Sequence, residues 1–431
     1  THFYSNAMYG SGLYPTNVQH TNGSNNVRYE GVAYQDYREG VYMGYKWYET
    51  ADKMGFWTSN TAKSLWNVNG YDEVVQYPFG FGLSYTTFSW EITQLLFPDN
   101  LKEVTPEDTV KVVVRVTNTG DIAGQDVVEL YYEAPYTKGG IEKSSVNLAA
   151  FGKTQQVLQP GDYEDVVLEF AIQDMASYDY EAKKVNGGGY VLEDGNYNIT
   201  LRTDAHTLAG KKLIAGRVHS SDTITLKISG DVLVMEEAEN RFTGNNTTDG
   251  VAIDGNSDGS ANITYLSREN FEGTFPSELG DNRAMTDAIK ALNLYTSEHA
   301  NAWDAAHDNG EVTFGNSSML VYENGNINQL GKELGMNYDD PRWEQLLDVI
   351  PKATMELVVL HGYTHTEKIT NIGKPETLDV DGPNQIFSFT GSHPEATGFS
   401  SIVLAQSWND QLAYSMGLAF GEECNAYGVQ G

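Results

Sequence analysis

The chain has 431 residues, which is enough for two or three domains with hydrophobic cores of their own. Its 59 acidic and 27 basic residues give a formal net charge of −32, which disfavours nucleic acid and anionic membranes as partners. The charge suits a neutral substrate such as a sugar, although solubility alone is its simpler explanation. Apolar residues make up 40% of the chain, no apolar run is long enough to span a membrane, and the single cysteine, Cys424, excludes an intrachain disulfide.

Residues 1–91 are rich in Tyr, Gly and Asn and have little helical periodicity. They cannot form a complete α/β domain, because parallel strands need helical crossovers. Near their end, residues 77–88 read Tyr-Pro-Phe-Gly-Phe-Gly-Leu-Ser-Tyr-Thr-Thr-Phe. In this run Gly80 and Gly82 predict a turn or a close backbone approach.

This run and the upstream segment 38–50, Arg-Glu-Gly-Val-Tyr-Met-Gly-Tyr-Lys-Trp-Tyr-Glu-Thr, resemble family 3 glycoside hydrolases. In that family such segments lie where an α/β sandwich domain passes into a fibronectin-III-like domain. The resemblance implies that residues 1–91 are the C-terminal part of the sandwich domain. Four aromatic residues here suit either a sugar platform or the core packing of a Tyr-rich strand, and packing is favoured. They are Tyr42, Tyr45, Trp47 and Tyr48.

Residues 92–235 change to runs with a period of two, separated by turn signals. Apolar residues occupy every second position in two of these runs, from Val110 to Val116 and from Ile224 to Ile228. The residues Gln-Pro-Gly-Asp at 159–162 are typical of a turn. Such runs predict half-buried antiparallel strands in a β-sandwich. This region resembles the fibronectin-III-like domain of family 3 enzymes.

Residues 236–337 are predicted to be a connector, with an extended linker followed by one or two helices at 282–307. Within the linker, residues 254–259, Asp-Gly-Asn-Ser-Asp-Gly, mimic half of a calcium loop. Such a loop needs a Glu at its twelfth position, where this chain has Tyr265. A solvated turn is therefore favoured over calcium.

Residues 338–431 change to an α/β pattern. A helix is predicted to start at Asp340 and Pro341, with Trp343, Leu346, Leu347 and Ile350 as its apolar stripe, and another to start at Pro351. A short strand at 378–383, a helix at 409–425 and a second strand from Ala426 are predicted to follow.

This last region resembles the first part of the (β/α)8 barrel of family 3 enzymes. The predicted fold is therefore multidomain, α/β plus all-β: the end of an α/β sandwich, a fibronectin-III-like β-sandwich, and the start of a barrel. The barrel precedes the sandwich in most of the family, so the order here resembles its permuted branch. A barrel needs about 250 residues, so we expect a fragment of a larger enzyme.

One site residue carries over from the family. Asp381, in the run Asp-Gly-Pro at 381–383, matches the Asp that binds sugar hydroxyls at the end of the first barrel strand. Asp379 is a weaker candidate with an expected structural role. Where the family often has Gly two residues after the Pro, this chain has Gln385, so the loop shape and substrate preference differ. The simpler alternative for Asp381 is the polar residue of an Asp-Gly turn.

The resemblance implies that both catalytic carboxylates, a nucleophilic Asp and an acid/base Glu, lie outside this sequence. No metal and no cofactor are expected. His361 and His365 are four residues apart, but they lack the Glu of a His-Glu-x-x-His motif, and Gly362 indicates a loop. His299 and His307 have no metal spacing. We expect surface or loop histidines in all four cases.

The resemblance implies a retaining exo-β-glycosidase, with β-glucosidase preferred to β-xylosidase, that acts on oligosaccharides or on aryl and alkyl β-glycosides. The alternative is a non-catalytic carbohydrate-binding, adhesion or structural protein derived from such an enzyme. Expected partners are the remainder of the same enzyme or further copies of the chain, with no nucleic acid and no membrane span. Polar loops and few lysines favour a bacterial exterior over the cytoplasm.

Overall fold

The computed structural model of the chain describes most of two compact units, Thr1–Tyr295 and Thr296–Gly431. The described residues are 38–96, 105–209, 223–236, 264–275, 329–348, 350–362, 365–382, 384–388, 391–392 and 398–431, with four short strands before residue 38. The predicted calcium-like turn at 254–259, the predicted helix at 282–307, and His299 and His307 lie outside these residues.

The first unit begins with four short strands that pair antiparallel, β1 with β4 and β2 with β3. Two short helices follow, α1 and α2, in a region whose sequence has little helical periodicity. The bounds are β1 Gly12–Leu13, β2 Val18–Asn22, β3 Asn25–Tyr29, β4 Ala33–Tyr34, α1 Tyr45–Lys53 and α2 Asn60–Trp66. Helix α2 starts where the Ser59 side chain accepts a hydrogen bond from Ala62 N and ends at Asn67 in the left-handed region.

The aromatic residues of this region form a core, as predicted, but from a helix and a turn instead of a strand. Tyr42 and Trp47 are fully buried, and Trp47 lies 5.0 Å from the Phe271 ring and 5.7 Å from the Phe275 ring. Phe271 belongs to the short helix α3, Phe271–Thr274. The core of the N-terminal segment is therefore completed by residues more than two hundred positions further along the chain.

Seven strands of the first unit form two antiparallel sheets, in the orders β5-β6-β9 and β13-β12-β7-β8. Their apolar faces share one buried cluster, so the two sheets pack as a sandwich. A third sheet has the order β10-β11-β14. The bounds are β5 Phe88–Leu96, β6 Thr109–Asn118, β7 Val127–Glu133, β8 Asn147–Lys153, β9 Tyr163–Ala171, β10 Ser177–Tyr178, β11 Gly189–Leu192, β12 Gly195–Arg202, β13 Thr223–Ile228 and β14 Val232–Glu236.

The alternation predicted between residues 92 and 235 is confirmed. Val110, Val112, Val114 and Val116 of β6 are all fully buried, and Ile224, Leu226 and Ile228 of β13 face the same core. The turn at 159–162 forms as predicted, with Asp162 N donating to Gln159 O at 2.9 Å and Gly161 at φ +88°. A half-buried sandwich strand needs this period of two.

The N-terminal segment packs on the sandwich through buried polar groups. The Glu142 carboxylate accepts hydrogen bonds from Tyr42 Oη, from Ser267 Oγ at 2.6 Å and from Arg268 N at 2.9 Å. Gly80 lies so close to Glu129 that a Cβ on it would be 2.2 Å from Glu129 Oε2, and its φ is +87°. The prediction for Gly80 is confirmed, whereas Gly82 has no positive φ, and no atom of the described residues lies within 4 Å of its Cβ position.

The described part of the second unit contains five helices of 5 to 18 residues and four two-residue strands. They are α4 Gln329–Leu334, α5 Trp343–Leu347, α6 Lys352–His361, β15 His365–Thr366, β16 Thr377–Leu378, β17 Phe387–Ser388, β18 Gly391–Ser392, α7 Ser401–Gln406 and α8 Asp410–Tyr427. The helix predicted after Pro351 and the helix predicted near 409–425 are confirmed as α6 and α8. No described helix is long and apolar enough to cross a membrane.

Three details of this unit differ from the prediction. Helix α5 starts at Trp343 and not at Pro341, because the Asp340 carboxylate binds Arg342 N at 2.9 Å in a preceding turn. Leu347 is exposed, since this five-residue helix buries one side only. The strand predicted from Ala426 is wrong, because α8 continues to Tyr427 and ends at Gly428, with φ +71°.

Candidate substrate-binding site

Asp381 follows a strand-like segment that pairs with the C-terminal residues. Leu378 O accepts from Gln430 N at 2.9 Å, and Val380 N donates to Gly431 O at 3.0 Å. Residue numbers increase together across these bonds, so the two segments run parallel. The hairpin β17–β18 and helices α7 and α8 lie between them in the chain, and Asp381 directly follows the paired residues 378–380.

The loop that carries Asp381 is fixed on both sides. A Cβ on Gly382 would lie 3.3 Å from Phe420 Cζ, so the backbone approaches α8 closely there. On the other side, Asn384 O accepts from Phe399 N at 2.8 Å, and Asn384 Oδ1 accepts from Ser401 N at 2.9 Å. Ile386 is then buried with Val429. Asp381, Gly382 and Asn384 are the exposed residues in the described part of this loop.

The Asp381 carboxylate is open to a ligand. Among the described residues, no side chain or backbone N–H bonds to it, and it offers two oxygens to hydroxyl donors. Asp379 faces different surroundings, because its Oδ1 lies 2.4 Å from where a Cβ on Gly431 would be. The two carboxylates therefore have different surroundings: Asp381 is exposed, while Asp379 lies beside Gly431.

Carboxyls with a raised pKa are the usual signature of a glycosidase acid/base, and the described residues hold several in the first unit. Burial raises the pKa of Glu49 and of Asp126, and that of Glu129 to about 8. Each has a partner within the fold: Glu49 binds Tyr71 and His206, Asp126 accepts from Trp90 Nε1 at 2.6 Å, and Glu129 accepts from Tyr131 Oη at 2.6 Å. These are packing contacts of the sandwich, not an exposed pair.

Glu129→Gln is expected to flatten the pH dependence of stability of the first unit. With a pKa near 4.5 when unfolded and about 8 when folded, Glu129 takes up a proton on folding within this window. Its contribution to the free energy of unfolding is therefore complete below pH 4.5. That contribution falls by up to roughly 1.4 kcal/mol per pH unit as the pH rises to 8. The variant should match the wild type in acid and be up to about 5 kcal/mol more stable above pH 8 in urea unfolding.

The matched control is Glu169→Gln, which removes a carboxylate that is exposed on β9 and should leave the wild-type profile intact. Parallel pH profiles for wild type and Glu129→Gln would contradict the burial argument.

The histidines predicted to be loop residues have defined places. His361 is the last residue of α6, and His365 lies in β15. The sequence analysis missed Glu367, whose carboxylate contacts both imidazoles. The signal was the run His-Gly-Tyr-Thr-His-Thr-Glu at 361–367, in which the acid follows the second histidine.

Comparison with known proteins agrees with the fold. The model of a fibronectin type III-like domain matches residues 126–205. β-Glucosidase A of Butyrivibrio fibrisolvens is 27% identical over 409 residues, which cover 92% of this chain and 44% of that protein. A β-glucosidase of Rhizobium radiobacter is 32% identical over 169 residues, 39% of this chain and 16% of that protein.

Among solved structures, a β-glucosidase from Paenibacillus barengoltzii has the same fold over 91% of this chain and 37% of its own, with a TM-score of 0.55 and 20% identity. The chain spans less than half the length of the curated relatives it matches. The resemblance predicted from residues 38–50 and 77–88 is confirmed: the chain is similar to family 3 β-glucosidases over nearly its whole length and contains a fibronectin type III-like domain.

Proposed function

We propose that this chain is part of a retaining exo-β-glycosidase that hydrolyses terminal non-reducing β-D-glucosyl residues. The observation that carries the proposal is the continuous alignment of 409 residues with β-glucosidase A of Butyrivibrio fibrisolvens. Because an alignment preserves order, it supports the same succession of parts in both proteins. That succession is the one expected of the permuted branch of the family.

In this proposal, residues 1–91 complete an α/β sandwich domain, 92–235 are the fibronectin-III-like domain, 236–337 connect, and 338–431 start a (β/α)8 barrel. The parallel pairing of residues 378–380 with 430–431 supports the last assignment, because a barrel is built from parallel strands. The fibronectin-III-like domain acts as a brace and not as a sugar binder. Its buried contacts with the N-terminal segment, Tyr42 with Glu142 and Thr50 with Ser145, support that role.

Asp381 binds hydroxyl groups of the sugar in the −1 subsite. Its position past the carboxyl end of a parallel strand supports this role, since barrel sites lie at that end. Two charge-assisted hydrogen bonds to one carboxylate fix the register of a pyranose ring. The bond to be broken is then held next to the catalytic pair.

The catalytic carboxylates lie in parts of the enzyme outside these 431 residues. Hydrolysis with retention needs a nucleophile and an acid/base about 5 Å apart, and it proceeds through a covalent glycosyl intermediate. The 44% coverage of the relative leaves room for both. Exposed apolar side chains of the second unit, such as Val359, Leu360 and Ile402, would be covered by the rest of the barrel.

The test is hydrolysis of aryl β-glycosides by the protein expressed from its complete reading frame. We expect release of aryl alcohol from a β-glucoside at a higher kcat/KM than from the matching β-xyloside. Proton NMR should detect the β-anomer of glucose first, because double displacement retains configuration. First formation of the α-anomer would contradict the mechanism, and a preference for xyloside would contradict the substrate.

An intact mass measured on the same sample shows whether the polypeptide extends past these residues. A longer polypeptide without any glycosidase activity would contradict the proposal and favour the non-catalytic alternative.

A further inference from the structure

Three side chains with metal-binding donors meet where α6 ends. His361 is the last residue of that helix, His365 lies in β15, and Glu367 follows it. One donor atom from each lies within 4.8 Å of the other two. His361 Nδ1 contacts Glu367 Oε1, and His365 Nε2 is 3.5 Å from the same oxygen. Two imidazoles and one carboxylate are a common donor set for zinc sites with an open position.

The backbone that carries these donors is fixed by contacts of its own. His365 and Thr366 pair with Leu378 and Thr377 of β16. The Lys374 ammonium donates to Thr366 Oγ1 at 2.6 Å and to the Glu367 carbonyl oxygen at 2.9 Å. These bonds hold the backbone at His365, Thr366 and Glu367. The donor atoms then reach a common ion by rotation about side-chain bonds.

The geometry of the cluster is close to what an ion requires. Bond lengths of about 2.0–2.2 Å in a tetrahedral zinc site place donor atoms roughly 3.4 Å apart. Donors already within 4.8 Å of one another need movements on the order of 1 Å.

We propose that His361, His365 and Glu367 bind one divalent transition-metal ion, with Zn²⁺ as the preferred ion. Water would fill the remaining position, since the described residues add no fourth donor to the cluster. The proposal is independent of the glycosidase assignment, because it rests on these three residues alone. The sequence analysis set the two histidines aside because they lack a His-Glu-x-x-His motif. Here the acid is Glu367, which follows β15.

The experiment is metal titration of the protein expressed from its complete reading frame, after treatment with a chelator. Isothermal titration calorimetry with Zn²⁺ near neutral pH should give one site per chain. Co²⁺ should give visible absorption bands of a tetrahedral complex. His361→Ala, His365→Ala and Glu367→Gln should each weaken Zn²⁺ binding at least about 10-fold, because loss of a direct ligand costs no less than loss of an outer-shell partner. Glu376→Gln, an exposed acid of the same region, should bind like the wild type.

Each variant is first compared with the wild type by circular dichroism and thermal unfolding without metal. Glu367→Gln keeps a hydrogen-bonding group of the same size, so it tests the site even where the alanine variants unfold. Absence of a stoichiometric Zn²⁺ site in the wild type would overturn the proposal. Unchanged affinity in folded His365→Ala and Glu367→Gln would overturn it as well, since the ion would then be bound elsewhere.

Discussion

Asp381→Asn in the complete enzyme is expected to lower kcat/KM for an aryl β-glucoside about 100-fold. The substitution keeps the shape of the side chain but removes its charge and one of its two acceptors. Hydrogen bonds to a charged group are worth about 1.5–3 kcal/mol each, so weakening two of them costs about 3 kcal/mol. A factor of ten corresponds to about 1.4 kcal/mol, which gives the expected loss. Steady-state kinetics of the purified variant measure it.

Asp379→Asn is the matched control, since it makes the same chemical change two positions earlier. Its side chain lies beside Gly431, so we expect kcat/KM within about threefold of the wild type. If both variants lost activity together, the cause would be disruption of the 378–382 loop and not loss of a sugar contact. If Asp381→Asn kept full activity, Asp381 would be only the polar residue of a turn.

The β-sandwich was the part of the fold that the sequence predicted best. A strand of a sandwich buries alternate side chains, so Val110 to Val116 carry the whole signal in adjacent residues. The turn at 159–162 is likewise local, because Pro and Gly set its backbone angles. Helix α6 after Pro351 and helix α8 after Asn409 were predicted for the same reason, from start signals within a few residues.

Features that depend on distant residues were missed. Helix α1 was not predicted because its aromatic residues pack in a core that includes Phe271, a residue far along the chain. Glu142 and Arg268 form a buried contact that no local pattern could indicate. The end of α8 was placed too early, since Ala426 and Tyr427 fit a helix as well as a strand and Gly428 decides between them.

The candidate site could be predicted from the sequence only in part. Asp381 was predicted from a short motif shared with a family; it is exposed, and its role in sugar binding stays a prediction. The loop around it was not predictable, because Asn384 is positioned by the N-terminus of α7. The cluster at His361 was set aside because the motif applied to it required the acid within the helix.

Trp47→Ala is expected to destabilise the first unit by about 3–5 kcal/mol, which is a large part of the stability of a typical domain. Trp47 is fully buried on α1, and its ring contacts those of Phe56, Trp57, Phe271 and Phe275 at centroid distances of 5.0–5.7 Å. Removing the indole leaves a cavity that these rings cannot close, because all four come from outside α1. Urea unfolding followed by circular dichroism measures the loss.

Two control variants separate packing from a role in sugar binding. Trp47→Phe keeps a ring in the core and should cost less than half as much as Trp47→Ala. Tyr85→Ala removes an aromatic ring that is 95% exposed, so its effect on stability should be within about 0.5 kcal/mol. If Trp47→Ala left unfolding unchanged and weakened binding of glucosides instead, the platform interpretation would replace the core. The burial of Trp47 argues against that result, since a ring closed off from solvent on all sides has no face left for a sugar.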